Sequence, residues 1–281
     1  GVARDATLRL WDVTTGEEVR RFTGHDKRIW DMAITTDGRY AVSGSHDGTL
    51  RRWEIATGQS ALLLDLSPQD VLSLAVSPDG RTVLVGPGRG VAVDPSYALR
   101  QIDLMTGAEL RRLVGHNEAV NAIAISPNGR YAASGGHDKV IFLWDLCEGR
   151  LLHRLVGHTG SALDLLFTPD SRFLLSASHD KTILLWEIEV GEAMRCYEGH
   201  SGIVFDLACL PDVSGIVSAS EDGSIRQWRI DSTLDDLLAW TRANIGRYGG
   251  DPGFIAVTGG GARGPPPAPV APPPPARPPP P

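Results

Sequence analysis

The chain has 281 residues, 42% of them hydrophobic, and a formal net charge of −7, so most of it is expected to be globular. It has no run of about 18 apolar residues, which excludes a membrane-spanning helix, and its acidic balance argues against general nucleic-acid binding. No signal-peptide pattern opens the sequence, and three cysteines are too few for a disulfide framework. A cytoplasmic location is therefore expected.

A 42-residue step organises the first 230 residues. It separates Trp11 from Trp53, and it recurs between Trp144, Trp186 and Trp228. The longer gap of 91 residues between Trp53 and Trp144 holds one further unit, which has Ile102 at the tryptophan position and seven extra residues. Such a fixed period is the signature of a repeat architecture.

A complete unit contains four short runs of apolar and β-branched residues separated by turn residues, as at 120–125, 130–134, 140–144 and 151–155. This pattern predicts four strands, which is one blade of a β-propeller. Five blades are expected to start near residues 24, 66, 115, 157 and 199. Residues 1–22 supply only two strands of a preceding blade, and the last blade has three.

The repeated residues resemble those of the WD-repeat (β-transducin-like) family. The resemblance covers about residues 1–230, and the unit from Leu66 to Asp103 is degenerate because it lacks the family's His, turn Asp and Trp. An all-β WD-repeat propeller is implied. Because propellers of this family commonly have seven blades, the chain is expected to be part of a larger propeller or multidomain protein. The matching marks are Gly24-His25, Gly115-His116, Gly157-His158 and Gly199-His200, an Asp in each tight turn, and Trp-Asp or a variant such as Trp53-Glu54.

The resemblance also implies a buried hydrogen-bond chain of Trp, Ser, His and Asp in each regular blade. A hydrolase triad is the alternative, but a set repeated inside every blade favours a structural role. The sets are His25, Ser43, Asp47 and Trp53; His116, Ser134, Asp138 and Trp144; His158, Ser176, Asp180 and Trp186; and His200, Ser218, Asp222 and Trp228.

The first strand of each blade suggests a binding surface. Counted from the Gly-His histidine, the apolar residues at +4, +7 and +9 break strand alternation, which predicts a β-bulge at +5/+6. By family resemblance, the +5 side chains lie on the top face of the propeller. They form a contact ring there or, alternatively, pack between blades. These residues are Trp30, Leu72, Asn121, Leu163 and Phe205.

Four residues that precede the turn aspartates complete the candidate surface. They are His46, His137, His179 and Glu221. A metal site would need three or four ligands to converge on one ion, but the repeat places these residues on different blades, so no metal is expected.

The C-terminal segments differ in composition. Residues 231–248 carry a helix-capping Ser or Thr, acids in the first turn and apolar spacing typical of a helix. This helix resembles one that follows WD repeats in large bacterial signalling proteins. Residues 249–281 hold 13 of the 20 prolines and are expected to be a disordered Gly/Pro-rich tail.

The sequence favours a non-catalytic protein–protein interaction scaffold without cofactors. The alternative is an accessory or sensor domain of a serine/threonine kinase or a nucleotide-binding ATPase whose catalytic part lies elsewhere. The expected partner is a protein or peptide rather than nucleic acid, membrane or a small-molecule substrate. The acidity of the chain favours a partner segment that carries Lys or Arg.

Overall fold

The computed structural model describes residues 5–89, 97–210, 215–230 and 256–258, and within these residues every regular element is a β-strand. Strands β1 (Leu8–Trp11) and β2 (Glu18–Phe22) pair with each other. The other sheets follow in chain order and are called blades 1 to 5. Blade 1 comprises β3 (Ile29–Ile34), β4 (Tyr40–Ser45), β5 (Thr49–Glu54) and β6 (Ser60–Asp65); blade 2 comprises β7 (Val71–Val76), β8 (Thr82–Pro87), β9 (Leu99–Asp103) and β10 (Glu109–Leu113).

Blades 3 and 4 repeat this antiparallel order and blade 5 has its first three strands, so the predicted four-stranded blades are confirmed for blades 1 to 4, including the degenerate one. Blade 3 comprises β11 (Val120–Ile125), β12 (Tyr131–Gly136), β13 (Ile141–Asp145) and β14 (Arg150–Leu155); blade 4 comprises β15 (Ala162–Phe167), β16 (Phe173–Ser178), β17 (Ile183–Glu187) and β18 (Glu192–Glu198); blade 5 comprises β19 (Val204–Cys209), β20 (Gly215–Ser220) and β21 (Ile225–Arg229).

The core lies between the blades. One cluster packs Leu175, Ile183 and Tyr197 of blade 4 against Ile216 and Trp228 of blade 5. First strands of successive blades contact one another, so they form the inner side of the arc. The loop before the first strand and the turn between the second and third strands lie at the same end of each blade, because the strands are antiparallel. This end is called the top face.

The predicted bulge is confirmed in all five blades. The register of the first strand shifts between positions +4 and +6, as between Ile29 and Asp31 or between Val204 and Asp206. The +5 residue therefore has no partner opposite it in the ladder, and its side chain is released from the alternation that governs the rest of the strand.

Position +6 joins neighbouring blades. The Leu74 amide of blade 2 donates to Asp31 Oδ2 at 2.8 Å, and the Leu207 amide of blade 5 donates to Asp164 Oδ2 at 2.7 Å. Burial raises the pKa of Asp164 to about 7, helped by the neighbouring charge of Asp206. Asp164 is therefore a blade-to-blade contact that takes up a proton near neutral pH.

Two predicted segments fall largely outside the described residues. The helix at 231–248 lies wholly outside them, and so does the tail at 249–281 except for one short strand, β22 (Ala256–Thr258). This strand pairs in parallel with β18 and belongs to the one β-prone apolar run of a segment that was expected to be disordered. No helix in the described part of the chain is long and apolar enough to cross a membrane.

Truncating a blade tryptophan tests the core. Trp144 is 2% exposed, whereas Trp11, at the equivalent repeat position, is 49% exposed. Trp144→Ala is expected to lower the free energy of unfolding by about 3–5 kcal/mol because it removes a large buried side chain. Trp11→Ala is expected to change it by about 0.5 kcal/mol or less. Urea denaturation measures both, and equal losses would contradict this packing.

The Asp164 contact predicts a pH dependence. A carboxyl with a pKa raised above that of the unfolded chain, about 3.9, stabilises the fold at low pH, and this contribution is lost as pH rises through about 7. Asp164→Asn keeps an acceptor for the Leu207 amide but does not titrate. We expect the thermal unfolding midpoint of the variant to fall less than that of the parent between about pH 5 and pH 8. Asp26→Asn, at an exposed aspartate, is the control and should follow the parent.

Candidate functional site

A hydrogen-bond chain ties together the second and third strands of each regular blade, the turn between them and the loop that enters the blade. In blade 3 the Trp144 indole donates to Ser134 Oγ at 2.9 Å, and Ser134 Oγ lies 2.8 Å from His116 Nε2. His116 Nδ1 lies 2.7 Å from Asp138 Oδ2. Because an indole N–H can only donate, the serine accepts from it and donates its own proton to the imidazole, which then donates to the aspartate.

The same chain recurs in blades 1, 4 and 5. The distances from tryptophan Nε1 to serine Oγ are 2.7–2.9 Å, and those from histidine Nε2 to serine Oγ are 2.7 Å. The structure thus brings together the following sets: His25, Ser43, Asp47 and Trp53; His158, Ser176, Asp180 and Trp186; and His200, Ser218, Asp222 and Trp228.

The pKa values of the aspartate and the histidine keep this hydrogen-bond chain in one protonation pattern. Burial alone would raise the pKa of Asp47, but hydrogen bonds from Thr49 and from the Asp26 amide outweigh it and hold that pKa at about 2. Burial lowers the pKa of His25. The aspartate is thus ionised and the buried imidazole is favoured in its neutral form, which keeps the direction of donation constant at neutral pH.

This arrangement does not suit nucleophilic chemistry. Ser43, Ser134 and Ser176 are each 0% exposed and Ser218 is 1% exposed. Each hydroxyl has a tryptophan on one side and a histidine on the other, so no substrate can reach its oxygen. The hydrolase interpretation of the repeated triads therefore has no geometric support.

The +5 residues differ in how far they are available to a partner. Phe205 is 49% exposed, and Trp30 is half-buried with the Arg28 guanidinium 4.2 Å from its ring centroid. The Asn121 amide instead donates to the Ala162 carbonyl of blade 4 at 3.2 Å, so it ties two blades together. Leu72 and Leu163 are half-buried.

The residues before the turn aspartates lie apart. His46 Nδ1 lies 2.7 Å from Asp70 Oδ2, and His137 Nε2 lies 3.0 Å from the Arg89 guanidinium. His179 and Glu221 are exposed on blades 4 and 5. Among the described residues no group of three or more His, Cys, Asp or Glu is arranged to hold a metal ion.

Three further residues belong to this surface: Arg28, Asp70 and Arg89, of which the sequence analysis missed Arg28 and Asp70. All three contact predicted surface residues or their neighbours from loops at the top face. Asp70 and Arg89 belong to the degenerate blade 2. Arg89 departs from the repeated turn aspartate, and this is a sequence signal, since a side chain that breaks a structural repeat has no place in its scaffold. Arg28 and Asp70 lie at position +3, which has no repeated residue type and gives no such signal.

Curated relatives align with parts of the chain. It is 27% identical over 157 residues to the nuclear distribution protein PAC1 of Coccidioides posadasii, covering 51% of this chain and 33% of that protein. It is 31% identical over 142 residues to the WD repeat-containing protein SL1-17 of Schistosoma mansoni, covering 50% and 44%. It is 56% identical over 43 residues to the small ribosomal subunit protein RACK1 of Glycine max, covering 15% and 13%. The chain thus spans less than half the length of each relative.

The family model described as WD domain, G-beta repeat matches residues 16–54, 107–145, 149–187 and 191–229, together more than half of the sequence. The unmatched stretch between the first two matches contains the first three strands of blade 2, whose network positions have diverged. With the four-stranded blades and their repeated hydrogen-bond chains, this match shows that the chain belongs to the WD40 repeat family.

Proposed function

We propose that this chain is a non-catalytic protein-interaction scaffold and that its top face is the partner-binding surface. The observation that carries the proposal is the bulge, which frees the +5 side chain at the same place in every blade. Exposed aromatic residues at such positions favour binding, because large rigid side chains supply much of the energy at protein interfaces.

The support is unevenly distributed over the face. Trp30 and Phe205 lie on blades 1 and 5 and offer aromatic surface, whereas Asn121 is engaged with the next blade. The proposed contacts therefore concentrate on a few side chains rather than on a continuous ring. This distribution fits the usual pattern, in which a minority of interface residues dominates the affinity.

The interaction role also accounts for the lack of an accessible nucleophile in the repeated triads. His, Ser and Asp of each regular blade satisfy one another inside the blade. What remains for a partner is the variable set of top-face side chains, which differ from blade to blade. Variable side chains on a rigid repeated frame suit recognition of a protein or peptide.

A finer proposal concerns the parent protein. A regulatory or sensor role beside a serine/threonine kinase or nucleotide-binding ATPase in a bacterial signalling protein rests only on the segment at 231–248. The relatives named above come from a fungus, a flatworm and a plant, and they lend it no support. Sequencing the genomic region that encodes the chain and its flanks tests this proposal directly.

The proposed partner-binding role of the top face is tested by a pair of double variants. Trp30→Ala with Phe205→Ala is expected to reduce partner capture from cell extract about tenfold or more, because it removes both aromatic anchors. The control, Leu110→Ala with Val190→Ala, removes two side chains that are each 55% exposed and lie away from the top face. Quantitative mass spectrometry of the captured proteins measures both.

Two outcomes would contradict the proposal. If the Trp30 and Phe205 double variant unfolds, the two side chains belong to the core between blades. If it folds, as judged by circular dichroism, and captures the same proteins as the control, the partner uses another surface.

A further inference from the structure

Blade 2 keeps the strands of a blade but has lost its internal hydrogen-bond chain. The register of β7 and β8 matches that of β3 and β4, which places Ser67, Val85, Arg89 and Ile102 at the four network positions. Val85 and Ile102 have no hydrogen-bonding side chain and are 0% exposed. Blade 2 is thus held by apolar packing, and the residue at its turn position is released from a structural role.

Arg89 occupies the place of the turn aspartate. In regular blades that aspartate faces the histidine of its own blade, whereas Arg89 is exposed and donates to His137 Nε2 of blade 3 at 3.0 Å. Since a guanidinium can only donate, His137 accepts here through Nε2. The break in the repeat therefore places a cation on the top face, at the boundary between two blades.

Asp70 and Gly88 shape the space beside Arg89. Asp70 faces His46 at 2.7 Å, its side chain is 9% exposed, and its amide donates to the Arg89 carbonyl at 3.0 Å. A Cβ at Gly88 would lie 2.8 Å from Asp70 Cβ and 3.0 Å from Leu72 Cβ. Gly88 holds the position that carries histidine in three other blades, and it is buried. Asp70 and Leu72 already occupy the space that a side chain would need there, so they pack directly against the backbone beside Arg89.

A second cation, Arg28, belongs to the same series of contacts. The Arg28 guanidinium covers the Trp30 ring at 4.2 Å, and the Trp30 and His46 ring centroids are 6.2 Å apart. The Arg28 Nε and Trp30 Nε1 atoms are buried and have no hydrogen-bond partner among the described residues. Contacts thus run from Arg28 through Trp30, His46 and Asp70 to Arg89.

The accessible charge of this surface is positive. In the described part of the chain no carboxylate forms an ion pair with Arg28 or Arg89. Asp70 is turned onto His46, and Glu118, which acts electrostatically on His137, forms no ion pair with either arginine among the described residues. The net charge of −7 is an average over the whole chain and does not describe this surface.

We propose that the surface formed by Arg28, Trp30, His46, Arg89 and His137 binds an acidic side chain, Asp or Glu, of a partner peptide. The inference rests on the proposed top-face function and specifies its partner class. Guanidinium groups pair with carboxylates in a two-pronged geometry, and Arg89 is exposed without a carboxylate partner among the described residues. The charge preference is the reverse of the Lys- or Arg-bearing partner expected from the overall acidity.

Selection from a library of random displayed peptides on the purified full chain tests the proposal. We expect the bound peptides to be enriched in Asp and Glu, and the most enriched one, made synthetically with a fluorescent label, serves as the probe. Arg89→Gln is expected to weaken its binding about tenfold, as loss of a charged hydrogen bond does. Lys27→Gln removes an equal charge from the same face outside the contact chain, and it should change the Kd by about twofold or less.

Charge reversal makes the test independent of any loss of affinity. Selection on Arg89→Glu should yield peptides enriched in Lys and Arg, which an unfolded variant could not produce. Acid-free peptides that bind the parent and are lost in Trp30→Ala would overturn the acidic preference but leave the scaffold intact. No enrichment on the parent chain would overturn both proposals. Equal affinities of Arg89→Gln and Lys27→Gln for an acidic probe would also overturn this one.

Discussion

Each regular blade depends on a serine hydroxyl held between an indole and an imidazole. The oxygen of Ser176, for example, lies 2.9 Å from Trp186 Nε1 and 2.7 Å from His158 Nε2, in a site that water does not reach. A buried polar group left without its partner costs about 1–3 kcal/mol, so the three side chains specify one arrangement of the blade. Loop, second strand and third strand are thereby fixed relative to one another.

This constraint distinguishes the residues that hold a blade together from those that can contact a partner. Where the hydrogen-bond chain is complete, His, Ser, Asp and Trp serve the blade and leave little for a partner. In blade 2 the chain is replaced by Val85 and Ile102, and there Arg89 turns outward to the neighbouring blade. The residue that breaks the repeat is thus free to act at the surface, and the blades around it hold it in place.

The sequence predicted much of the fold because its signals recur. The 42-residue step located the blades, and the break in alternation in the first strand located the bulge. The hydrogen bonds that Asp31 and Asp164 accept from neighbouring blades were not predicted. Position +6 is aspartate in three blades but Ser73 and Ala122 in the other two, so the residue type does not show which side chain reaches the next blade. The contact from Arg89 could not be predicted either, because it depends on how closely two blades approach.

The coupling free energy between Ser176 and Trp186 tests the central claim most directly. Ser176→Ala removes the hydroxyl, Trp186→Phe removes the indole N–H, and urea unfolding of both single variants and the double variant yields their interaction. A bond that holds the blade together should give a coupling of about 1 kcal/mol or more. A coupling within error of zero would show that the two side chains stabilise the blade independently and would contradict the account.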